Sequence, residues 1–123
     1  TPEKAGSKGW DVKYPRMVVW GRFRVKSTRK ELFFFNTHLG GQIARFESAK
    51  LLRTKIDKIA NGFPVVVSGD LNSKPDSEAY EIMVSGKYKI AIADAFHSAK
   101  DKNEEQFFKL HKASRKKIFK YLD

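Results

Sequence analysis

The chain has 123 residues, 41% hydrophobic and 13% aromatic, with ten Phe and no Cys. That is one domain's length and a globular composition, which excludes wholesale disorder, disulfides, thiolate metal sites and a cysteine nucleophile, and no apolar run approaches the ~20 residues of a membrane-spanning helix. The 25 Lys and Arg against 14 Asp and Glu give a net charge of +11, with both ends basic and residues 61–97 mildly acidic; such a field attracts phosphate-bearing ligands or anionic surfaces, the plain alternative being a solvated basic surface.

In chain order, residues 1–16 are broken by Pro2, Gly6, Gly9 and Pro15 and read as a loop. The chain opens on Thr1 without a Met or an apolar leader. Any targeting segment is thus expected to be absent or removed, and the compartment, cytoplasmic or exported, stays open. Residues 17–26 read as a strand with Val19, Gly21, Phe23 and Val25 on one face and Arg22, Arg24 and Lys26 on the other. The alternation predicts that Phe23 and Val25 pack inward while the three cations form a solvent-facing stripe. After a polar turn, Glu31 to Thr37 reads as a second strand built on Leu32-Phe33-Phe34-Phe35, and a hairpin is the economical connection.

Residues 42–60 carry a helical stripe of Ile43, Phe46, Ala49, Leu52, Ile56 and Ile59, with Arg45, Lys50, Arg53 and Asp57 off it. Asn61-Gly62 stops that helix. Phe63 to Ser68 contains a buried strand, and Asp76 or Ser77 can cap a short helix running to about Val84. Residues 87–97 are weakly strand-like. In the tail, Phe107, Leu110, His111, Ser114, Ile118, Tyr121 and Leu122 recur at a helical period, so an amphipathic helix is expected there.

Two polar loops follow apolar strands, Asn36-Thr37-His38-Leu39 and Gly69-Asp70-Leu71-Asn72-Ser73. Strand ends in an α/β sheet are where side chains converge on ligands. If the backbone stays extended, Asp70 and Asn72 face one volume, as do Asn36 and His38. A carboxylate can take a proton from water or bind a hard cation; an amide can donate to an anionic oxygen; a histidine can hydrogen-bond a phosphate. Each also has a plain structural reading. Gly-Asp makes turns, a lone His is often buried and satisfied, and Asn36 suits tying down loop backbone.

These two segments, with Lys74-Pro75-Asp76-Ser77-Glu78 after the second, resemble two signature motifs of the endonuclease/exonuclease/phosphatase superfamily, the DNase-I-like fold. Residues 44–52 resemble its linking helix, and Gly6-Ser7-Lys8-Gly9-Trp10-Asp11 with Arg16 and Trp20 is similar to the bacterial branch. The resemblance implies a partial layered α/β sandwich, a mixed sheet with helices packed on it, as a single partial domain over 1–123. It implies a phosphoester hydrolase, nuclease or phosphatase, dependent on Mg²⁺ or Mn²⁺. Asp70 would orient or deprotonate the attacking water, Asn72 would steady the phosphate or metal shell, His38 would contact phosphate, and Asn36 would support them. Asp70 and Asn72 would be the metal-facing pair. Apart from the resemblance, Arg16, Arg22, Arg24 and Lys26 are expected as phosphate or nucleic-acid contacts, the last three as the basic face that a polyanion-binding module would use together with the basic tail.

The chain departs from the family pattern. The motifs that supply an Asn and a metal-binding Glu, and a late Asp-His pair, have no match; Ser114-Arg115-Lys116-Lys117-Ile118 resembles the lead-in to the family's penultimate strand, but Ile118-Phe119-Lys120-Tyr121 stands where Ile-Asp-Tyr-Ile is usual. The expectation is a fragment or degenerate member, impaired alone, holding metal weakly, and completed by a second segment or a second copy. The alternative is a non-catalytic basic module that binds nucleic acid or another polyanion.

Overall fold

The computed structural model describes residues 3, 4, 6–100 and 118–122, the last five as backbone. The first strand, β1 (Val18–Arg24), returns through a tight turn into β2 (Glu31–His38) as an antiparallel hairpin. The Arg29 N–H donates to the Val25 carbonyl and the Val25 N–H to that of Lys30, with Arg29 at φ 61°. Helix α1 (Ile43–Ala60) then carries the chain across to β3 (Val65–Asp70), which lies parallel to β2. Helix α2 (Glu78–Val84), the two-residue strand β4 (Ala93–Asp94), one turn of helix α3 (Ala95–Ser98) and β5 (Ile118–Leu122) complete the order. The sheet is mixed, in the order β1-β2-β3-β5-β4.

Helix α1 ends as its sequence dictates, Asn61 taking the left-handed conformation at φ 46°. Its start is different. Gln42 offers no side-chain cap, and the Asp11 carboxylate, far upstream, accepts from the N–H groups of Gln42, Ile43 and Ala44. Bonds from Ala44 and Gln42, foremost among several, hold the Asp11 carboxyl below its usual range. The approach is close enough that a Cβ on Gly41 would lie 2.4 Å from Asp11 Oδ1.

One face of the sheet is covered. Phe33, Phe35, Val65 and Val67 point into a core closed by Ala49, Leu52, Ile56 and Ala60 of α1 and by Ala79 and Met83 of α2. Ser77 caps α2 by accepting from the Tyr80 N–H. Asp94 caps α3 and binds Tyr80 and His97 through its other oxygen. Burial raises the Asp94 carboxyl, but the bonds from His97, Phe96 and Tyr80 outweigh it and leave the group below its usual value. Burial, then the bond to Asp94, pushes the Tyr80 hydroxyl up to about 12.

Four expectations are corrected. The alternation in β1 is real but its faces are reversed. Phe23 lies on the uncovered side, 55% exposed, with its ring edge-on to Phe34. Val25 is exposed as well. Trp20 and Arg22 share the helix side, Trp20 against Phe33 and Phe35, and the Arg22 guanidinium 5.0 Å from the Phe63 ring centre. Arg53, placed off the apolar stripe, is fully buried, its guanidinium 4.8 Å from the Tyr88 ring centre and donating to the Ile90 carbonyl. The weak strand signal over 87–97 resolves to two strand residues and a helical turn. Residues 118–122 form a strand and not a helix, because pairing with β3 and β4 supplies hydrogen bonds that local periodicity cannot report. The rest of the expected tail helix, Phe107 to Ser114, lies outside the described residues.

Candidate active site

The parallel register of β2 and β3 sets Asn36 opposite Ser68, Thr37 opposite Gly69 and His38 opposite Asp70. Because side chains alternate, Asn36, His38, Ser68 and Asp70 all stand on the face that α1 leaves open. Gly69 makes this possible. At φ 129°, its backbone runs so close to β2 that a Cβ would fall 1.8 Å from the Thr37 carbonyl oxygen. The Leu39 N–H donates to the Asp70 carbonyl at 2.9 Å, carrying the ladder one step beyond both strands.

His38 Nε2 lies 3.8 Å from Asp70 Oδ2, too long for a hydrogen bond but close enough for charge attraction when the imidazole is protonated. The His38 side chain is 47% exposed and that of Asp70 14%. Asn36 Nδ2 donates to Ser68 Oγ at 2.8 Å, so it ties strand to strand and not to loop backbone. The expected neighbouring strand ends are therefore in place.

Asn72 behaves differently from an extended-chain partner of Asp70. It takes the left-handed conformation at φ 49°, its N–H donates to Asp70 Oδ1 at 3.0 Å, and its amide nitrogen donates to the Leu39 carbonyl at 2.8 Å. One Asp70 oxygen is thereby fixed and the other turned toward His38. Arg45, to which the sequence assigned no role, donates from its guanidinium to the Asn72 carbonyl. Its signal was its place in the first turn of α1, directly after the loop that carries His38. Ser68 was missed as well, although the period-2 rule puts it on the Asp70 face.

Arg22, Arg24 and Lys26 do not join this group. Arg22 and Arg24, on the helix side of β1, stay about half exposed and share Glu31, whose carboxyl is lowered by bonds from Arg22 and then Arg24. Glu31 begins β2 and His38 ends it, which puts the basic pair about 23 Å from the histidine. Lys26 falls in the hairpin turn, and Arg16 lies against Gly40.

Asp70 is the one carboxylate in the group, and among the described residues no three His, Cys, Asp or Glu side chains cluster as a metal site. Mg²⁺ wants about six oxygens in near-octahedral array. One carboxylate, with an oxygen already taken by the Asn72 N–H, and a single Asn amide oxygen are too few donors to make a resident Mg²⁺ site by themselves.

A mixed α/β sheet, helices on one face and a His-Asp pair at adjoining ends of parallel strands, defines a layered α/β protein of the DNase-I-like kind. Solved structures agree. A mannosyl-6-phosphatase from Bacteroides thetaiotaomicron is 37% identical at TM-score 0.67, over 74% of this chain and 34% of its own. An endonuclease/exonuclease/phosphatase from Bacteroides vulgatus is 31% identical at TM-score 0.78, over 98% of this chain and 49% of its own. A further family protein from B. thetaiotaomicron is 26% identical at TM-score 0.73, over 95% and 45%. No protein-family model and no curated protein matches the chain. The chain belongs to the endonuclease/exonuclease/phosphatase family. It spans less than half the length of these solved structures.

Proposed function

We propose that the chain carries the His38–Asp70 half of a phosphoester hydrolase site. The observation that supports this most is the pairing of an exposed imidazole with a carboxylate held 3.8 Å away, one oxygen fixed by the Asn72 N–H. In this reading the Asp70 carboxylate takes a proton from a water as its oxygen attacks phosphorus, the ester P–O bond breaks on the far side, and the departing alkoxide takes a proton from solvent and leaves as the alcohol. His38 donates from its imidazole N–H to a phosphate oxygen and steadies the charge that develops there. Asn36 and Ser68 support the strand pair beneath them, and Arg45 holds the loop that presents Asn72. The family resemblance implies a divalent metal, but the residues here do not enclose one, so no step is routed through it. We place the remaining oxygen donors on a complementing segment or a second copy of the chain. For the basic-module alternative, Arg22 and Arg24 are the weaker support, since Glu31 already engages both.

The 37% identical mannosyl-6-phosphatase makes a sugar phosphate monoester the first substrate to try. Mannose 6-phosphate and a nitrophenyl phosphodiester should be assayed side by side, with Mg²⁺ and with chelator. Turnover is expected to be slow, and Asp70→Ala should lower it by ~100-fold or more, the usual worth of a positioned base. Robust turnover that survives both Asp70→Ala and His38→Ala would place the chemistry elsewhere.

A further inference from the structure

We propose that the space between α1 and β1 is a binding site for an aromatic organic anion, separate from the His38–Asp70 pair. Helix α1 lies over β2 and β3, leaving β1 uncovered on the helix side, and residues of the 6–18 stretch line the gap between them. The result is a cavity of about 700 Å³, within the ordinary range for small-molecule sites. Its walls are aromatic. Trp10 comes from the N-terminal segment, Trp20 from β1 and Phe35 from β2, with Trp20 stacked on Phe35 at 6.1 Å between ring centres and 26° between planes. Flat π faces of this kind take a flat ring in offset or edge-on contact.

The polar lining carries one sign. Arg16 and Lys55 reach the cavity, Lys4 stands beside them, and no Asp or Glu contributes to it. Among the described residues neither Arg16 nor Lys55 is salt-bridged, whereas Arg22 and Arg24 are held by Glu31. An aromatic wall with unengaged cations and no carboxylate selects a ring bearing negative charge over a neutral or cationic one. The side chain of Thr37 lines this cavity while its neighbours Asn36 and His38 point to the opposite face. The two sites therefore share strand β2 but not a surface.

Both tryptophans of the chain line the cavity, so intrinsic fluorescence reports its occupancy. The test titrates the full chain with 8-anilinonaphthalene-1-sulfonate and with its uncharged relative N-phenyl-1-naphthylamine. Saturable quenching at one equivalent is expected for the sulfonate, at least tenfold tighter than for the neutral probe. Ser48→Phe, which fills the cavity from α1, and the pair Arg16→Glu with Lys55→Glu should each weaken the sulfonate at least tenfold, with circular dichroism confirming the fold. Phe23→Glu, on the opposite face, should leave it unchanged. Equal affinity for the two probes, wild-type binding by Ser48→Phe, or loss of binding in Phe23→Glu alone would overturn the proposal.

Discussion

Gly69 shows how one missing carbon places the candidate site. Any other residue would set a Cβ against the Thr37 carbonyl, so Gly69→Ala should either part β2 from β3 or strain both. A loss of about 3 kcal/mol is expected, the upper end of what strain at a special backbone position costs, and would register as a fall in Tm. Asp11 makes a different prediction. Its carboxyl is lowered on folding, so its contribution is present above the ordinary value of 3.8 and is lost as pH falls through the lower folded value. Asp11→Asn should lower Tm at neutral pH and flatten the dependence of Tm on pH below about 4, measured by thermal melts across that range. His38 and Asp70 were legible because period-2 alternation and strand termini speak for themselves. Asn72 was not, since a left-handed Asn reverses the direction that an extended chain would give it.

At the scale of the element, α1 was readable in extent and stop but not in how it begins or which charge it hides. Its first N–H groups are satisfied by a carboxylate some thirty residues away, and nothing local signals that. Arg53 sits in the core because its stem and planar head can lie on Tyr88, a contact supplied by a distant loop. The burial pattern predicts a contrast within the helix. Ile56, fully buried, should cost about 2–5 kcal/mol on truncation to Ala, whereas Ile43, 60% exposed, should change stability by no more than ~0.5 kcal/mol. Equilibrium urea unfolding of the two variants makes the comparison. Strand β1 illustrates the reverse problem. Its alternation is plain in the sequence, but an edge strand exposed on both sides gives no clue to which side the helix takes.

Across the whole molecule, the α/β class, the crossover and the pairing of the two polar loops could be read from residues 17–78, where local pattern and final fold agree. The local periodicity of the tail misled, and only the family resemblance pointed to a strand there, because β5 is made by pairing with β3, some fifty residues before it, and with β4. The open side of the sheet has its own consequence for behaviour in solution. Val19 and Phe23 stand exposed there, with Phe34 at its margin, on a chain carrying +11. Two such molecules are drawn together by apolar contact and held apart by like charge. The Debye length shrinks from about 30 Å at 0.01 M salt to about 3 Å at 1 M, so the repulsion fades while the attraction does not. Light scattering should thus find single chains in dilute buffer and growing association as salt is added, with Phe23→Glu suppressing the growth. The protein would be a colloid stabilised by its own charge, one that clumps in brine and disperses in fresh water.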